Sequence, residues 1–167
     1  MSEATVTPGT GTDAAQHSLR PTSSRWTHIA LRVKDIDATI EWYTSYTDLE
    51  LLDRRTDDDG HGAWLGHPDP DSPFILVLAE FFPDRDPFAP APIASLGVFN
   101  HIGIELPTKE AVDEVAARAA EAGCLGMPAK WMPDPIGYIC MLTDPDGNWV
   151  EFSFDQGVYE TARKVWG

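Results

Sequence analysis

The chain has 167 residues, 43% of them hydrophobic, which is enough apolar material for one ordinary domain with its own core. Its formal charge is -15, from 12 Lys+Arg against 27 Asp+Glu, and that balance argues against a nucleic-acid partner or an anionic membrane surface. No apolar run is long enough for a membrane span, and the N-terminus lacks the basic-then-apolar order of a signal peptide, so a cytoplasmic location is expected.

Residues 1–24, rich in Thr, Ser, Gly, Ala and Pro, bury too little to offset the entropy of ordering and are expected to form a disordered tail. Trp26–Lys34 then alternates as a strand, with Ile29, Leu31 and Val33 on one face and His28, Ala30 and Arg32 on the other. Asp35 or Asp37 can cap a helix carrying Ile36, Ile40 and Tyr43 and ending near Thr47. Leu49–Thr56 and Gly62–Gly66 read as strands around the turn Asp57-Asp58-Asp59-Gly60. Phe74–Phe82 is a fourth strand in which Leu76, Leu78 and Glu80 share a face.

Pro83, Pro87, Pro90 and Pro92 break regular structure, so residues 83–95 read as a linker between module one (25–82) and module two (96–154). Phe99–Leu106 alternates again, with His101, Gly103 and Glu105 opposite Ile102, Ile104 and Leu106. Thr108 caps a helix to Ala122, whose Val112, Val115, Ala116 and Ala119 form an apolar stripe, and Gly123 ends it. Two strands, Pro128–Pro133 and Gly137–Thr143, lead to the dense turn Asp144-Pro145-Asp146-Gly147-Asn148 and a last strand carrying Glu151. In residues 155–167, Val158, Tyr159, Ala162 and Val165-Trp166 fall at near-helical spacing and predict a short helix. Cys124 and Cys140 sit among apolar residues and read as small hydrophobes, not as a disulfide or thiolate site.

The second half repeats the first. His28-Ile29-Ala30-Leu31 recurs as His101-Ile102-Gly103-Ile104, and Ala79-Glu80-Phe81 as Val150-Glu151-Phe152, at near-equal offsets. The expected fold is therefore α+β, two β-α-β-β-β modules forming a curved mixed sheet. If the helices cover the Ile/Leu/Val/Phe faces, the paired His and Glu residues fall on the concave side, and pairing the modules brings His28, Glu80, His101 and Glu151 together. Two imidazoles and two carboxylates suit one divalent metal ion, Zn, Ni, Co, Mn or Fe(II), with room left for substrate.

With these residues the chain resembles the vicinal oxygen chelate superfamily, which includes glyoxalase I, extradiol dioxygenases and the bleomycin-type resistance proteins. The resemblance covers Trp26–Phe154 and rests on His28-Ile29-Ala30-Leu31-Arg32-Val33, Glu80, Asn100-His101-Ile102-Gly103 and Asp144-Pro145-Asp146-Gly147-Asn148-Trp149-Val150-Glu151. It implies paired modules around a metal site, commonly in a homodimer, with a small-molecule substrate. All four glyoxalase I ligand positions are filled, and Arg32 follows the first His as in the bacterial enzyme. The resemblance thus implies a metal-dependent lyase/isomerase that stabilises an enediolate, with Glu151, or else Glu80, moving the proton.

The glutathione-using pattern is departed from at Asp84 and at Trp131-Met132-Pro133-Asp134-Pro135-Ile136-Gly137, leaving Arg32 and Lys130 as cations for a substrate carboxylate. Trp131 and Trp149 suit an apolar or aromatic substrate. A second reading is an Fe(II) extradiol-type dioxygenase using His28, His101 and Glu151, although Met141-Leu142-Thr143 stands where that signature has a Tyr. A third is a metal-free small-molecule binding or resistance protein with an acidic surface.

Overall fold

A computed structural model describes residues 28–69, 74–90, 92–97, 100–133 and 136–157. The expected N-terminal tail and C-terminal helix lie outside those residues, apart from 155–157. Module one runs β1 (His28–Arg32), α1 (Ile36–Tyr46), β2 (Glu50–Thr56), β3 (Gly60–Gly66) and β4 (Ile75–Phe81). Module two runs β5 (Ile102–Glu105), α2 (Lys109–Ala122), β6 (Leu125–Trp131), β7 (Tyr138–Thr143) and β8 (Trp149–Phe154).

Each module forms its own four-stranded mixed sheet, in the orders β1-β4-β3-β2 and β5-β8-β7-β6. The first strand pairs parallel with the last, and the other pairs are antiparallel. Local chemistry sets the helix ends. Asp35 caps α1 by accepting from the Ala38 N–H, and Thr108 caps α2 by accepting from the Ala111 N–H. Gly123, at φ 73°, closes α2 in the left-handed conformation that a residue without Cβ adopts cheaply.

Each helix lies on one face of its sheet, and these helix-bearing faces hold the core. Leu31, Leu76, Leu78, Ala63 and Leu65 are buried beneath α1, and Cys140, Leu142, Val150 and Phe152 beneath α2. The two sets join in one hydrophobic cluster. Tyr43 of α1 reaches Asp144 at 3.2 Å, and Arg118 of α2 donates to the Ser45 carbonyl at 3.1 Å. The modules therefore meet on their helix-bearing sides.

The turn before β8 is a knot of hydrogen bonds. The Asp144 carboxylate accepts from the Asp146 N–H at 2.9 Å, the Asn148 N–H at 2.8 Å and the Asn148 side-chain amide at 2.7 Å, while Asn148 Oδ1 accepts from the Leu96 N–H at 2.9 Å. Asp146 meets the Lys34 ammonium at 3.3 Å, so one turn ties the end of module two to that module's first residue and to module one. Among the described residues no helix is long and apolar enough to cross a membrane.

Candidate functional site

Of the residues expected in the site, His28, His101 and Glu151 lie on the faces turned away from the helices. In module two, β8 pairs with β5 so that Glu151 stands opposite Gly103, two residues beyond His101. Alternation then puts His101, Gly103, Trp149 and Glu151 on the face away from α2, where Ile139, Met141 and Ser153 are buried as well. The His101 Nε2 lies 3.6 Å from Glu151 Oε2. Glu151 is only 4% exposed, although the His101 side chain keeps 30% of its surface. Gln156 donates its side-chain N–H to the other oxygen, Glu151 Oε1, at 2.7 Å. Trp149 shares this face, and its ring rests on Gly126, where an added Cβ would come within 2.8 Å of the indole.

Module one is built differently. His28 is exposed on the open face of β1, in line with Ala30 and Arg32. The residue standing where Glu151 stands in module two is Val77, which pairs with Ala30, two residues beyond His28. Glu80 falls on the opposite, helix-bearing face with Leu76 and Leu78. Its Oε2 accepts from the Ile36 backbone N–H at 2.7 Å. The expectation that Glu80 joins His28, as ligand or base, is thereby corrected. Strand alternation sends its carboxylate to the start of α1, where an unpaired helical N–H and the positive end of the helix dipole receive it.

The expected quartet does not assemble within one chain: among the described residues no three His, Cys, Asp or Glu side chains converge as a metal site. His101 and Glu151 are brought together, whereas His28 sits in the other module.

The expected substrate residues also divide. Arg32 is half-buried, with Nη1 2.7 Å from Asp86 Oδ2, Nη2 on the Pro92 carbonyl and its guanidinium 5.6 Å from the Phe88 ring centroid. Its charge is met by the linker, so Arg32 fastens that segment to β1. Trp131 stacks on Tyr138, 5.3 Å between centroids, and Tyr138 donates to Asp113 of α2 at 2.6 Å. That places Trp131 on the helix-bearing side, away from Glu151, and corrects its expected place in the site. Trp149 lies two residues before Glu151 on the same face of β8.

Two cavities lie nearby. A small one of about 130 Å³ on module one is lined by Arg55, Gly62, Trp64, Val77 and Ala79. A larger one of about 1080 Å³ lies between the modules, lined by Ile29, Leu76, Tyr46, Ile102 and Arg118, with His101 also on its wall. Burial, reinforced by the charges of Asp113 and Glu151, pushes the Cys140 thiol up to about 12, which keeps it protonated and inert. Cys124 is half-buried, with its thiol 3.5 Å from the Tyr46 hydroxyl. Sequence reasoning missed Gln156, which lies beyond the last strand in no recognisable motif, and Tyr43, which it read only as helix core.

A family model described as the Glyoxalase/Bleomycin resistance protein/Dioxygenase superfamily matches residues 25–152. The chain is 38% identical over 130 residues to the uncharacterized protein PA2024 of Pseudomonas aeruginosa, covering 78% of this chain and 88% of that one. It is 29% identical over 130 residues to a probable chloroplastic lactoylglutathione lyase of Arabidopsis thaliana, covering 74% of this chain but only 33% of the relative's length. Two solved structures share the fold. The trypanothione-dependent glyoxalase I of Leishmania major has a TM-score of 0.60 at 22% identity, over 86% of this chain and 95% of that one. A mutant of the fosfomycin resistance protein FosX of Listeria monocytogenes, complexed with Mn(II), has a TM-score of 0.61 at 19% identity, over 85% and 99%. The family match spans most of the chain and the repeated modules carry the matching architecture: the chain belongs to the glyoxalase/bleomycin resistance protein/dioxygenase superfamily.

Proposed function

We propose that the protein is a metal-dependent enzyme of the glyoxalase type, a lyase or isomerase of a small carbonyl substrate with adjacent oxygens, working as a homodimer. One observation carries this reading: the Glu151 carboxylate, 4% exposed, lies 3.6 Å from the His101 imidazole on one sheet face. Such a buried carboxylate is tolerated when a cation meets it, and the N and O donors suit Zn, Ni, Co, Mn or Fe(II). His28 fits as a third donor when a second copy supplies it. Glu80 does not fit, because its carboxylate is on the other face.

A bound divalent ion would polarise the substrate's oxygens and make the neighbouring C–H more acidic. Glu151 is then the residue that removes the carbon-bound proton and returns it, since no other carboxylate of the predicted set lies on this face. Trp149, beside it, forms an apolar wall. The Arabidopsis relative, a probable lactoylglutathione lyase, favours this branch of the superfamily.

The placement of Glu80 favours a second reading. Without it the predicted set reduces to two His and one carboxylate, the donor set of an Fe(II) dioxygenase. Elemental analysis of the purified protein, followed by 2-oxoaldehydes with a thiol and by catechols in an oxygen electrode, separates the readings. Stoichiometric metal with isomerase turnover is the expected result. Oxygen uptake with catechols would select the dioxygenase, and a metal-free protein that still binds small molecules would overturn both.

A further inference from the structure

The chain reverses just after β8. Asp155 takes φ 60°, a left-handed backbone that costs a residue with a Cβ about 1 kcal/mol. The reversal brings Gln156 back against the sheet, where its Nε2 donates to Glu151 Oε1 at 2.7 Å. Two further contacts hold it there: the Ser153 hydroxyl donates to Gln156 Oε1 at 3.4 Å, and the Gln156 backbone N–H donates to Glu105 Oε1 at 3.3 Å. Glu151 therefore has one oxygen engaged by a neutral amide and the other, Oε2, directed at His101.

We infer that Gln156 is a positioning residue that makes Glu151 a one-oxygen ligand. This rests on the metal reading above. A carboxylate with both oxygens free can rotate to grip a cation twice, which fills a place that a chelating substrate needs. A hydrogen bond to Oε1 stops that rotation. An amide suits the task because it donates without adding a positive charge that would compete with the cation. The left-handed Asp155 is then the local cost of bringing this amide into reach.

The test uses the full chain and Co²⁺ as the probe. Gln156→Met keeps the side chain's length and removes the donor. It is expected to weaken Co²⁺ binding about ten-fold and to change the visible absorption band of the bound ion, because partners of metal ligands typically matter at that level. A second measurement needs no variant of Gln156. In metal-free wild type the Gln156 side-chain amide protons should be shifted and slow to exchange by NMR, and Glu151→Ala should abolish both effects.

Unaltered Co²⁺ affinity and spectrum in Gln156→Met overturn the positioning role while leaving the metal reading standing. A Gln156 amide that exchanges like an exposed one overturns it as well. A wild-type chain that takes up no Co²⁺ overturns both.

Discussion

At the start of α1 the Ile36 N–H has no partner within the helix, and the Glu80 carboxylate, 2.7 Å away, meets it with a negative charge at the positive end of the dipole. Losing such a charged, half-buried hydrogen bond costs about 1–2 kcal/mol. Glu80→Ala should therefore lower the unfolding free energy from denaturant titration by that amount while metal content per chain stays at the wild-type level. Glu151→Ala should do the reverse, losing the metal from a protein that still folds. Loss of metal from Glu80→Ala at unchanged stability would reinstate the four-ligand site. The alternation of β4 already held the answer, since Glu80 has the parity of the buried Leu76 and Leu78. The likeness of Ala79-Glu80-Phe81 to Val150-Glu151-Phe152 pointed the other way, because a sequence repeat aligns residue types while the ladder aligns faces. The strand faces of His28, His101 and Glu151 were legible from alternation alone.

Between elements, the joint of α1 with the turn before β8 sets a pH limit. Burial first, and then the negative charge of Asp144, holds the Tyr43 phenol far above its ordinary value of 10.0. The fold thus favours the protonated phenol. Its contribution to stability is whole below pH 10, and it shrinks as pH rises further, because the unfolded chain can ionise where the folded one resists. Above pH 10 the unfolding free energy should fall by about 1.4 kcal/mol per pH unit from this group. Tyr43→Phe should flatten that slope in alkaline denaturation, and an unchanged slope would show that the phenol ionises freely in the fold. Other features of the elements were easier to foresee than this contact between distant segments. Asp35, Thr108 and Gly123 mark the helix ends by local chemistry, and the structure follows them. β6 was misjudged: it begins at Leu125 and not at Pro128. As the edge of its sheet, with register shifts on both sides of Met127, it accommodates a proline that a central strand would reject.

Across the whole molecule, the modules join by the faces that carry their helices, which leaves His28 exposed on the far face of module one, while on the corresponding face of module two Ile139, Met141, Glu151 and Ser153 are buried and His101 keeps part of its surface. On our proposal, His28 of one copy meets His101 and Glu151 of another. That arrangement makes a specific demand on mixed subunits. His28→Ala and Glu151→Ala, each inactive alone, should regain about a quarter of wild-type activity when unfolded together and refolded in equal amounts, since half the dimers are mixed and each has one intact site. No recovery in a demonstrated mixed dimer would place the site within one chain or dismiss it. The sequence could not reveal this, because alternation assigns a residue to a face but says nothing of which face meets which. The missing Cβ of Gly126 has a separate consequence. Because the Trp149 indole occupies the space a methyl would need, even alanine there must shift the ring on the face that carries Glu151. The contour offered to a reactant can thus be recut from a strand that holds none of the ion-binding groups, and selectivity could drift while the chemistry stays fixed.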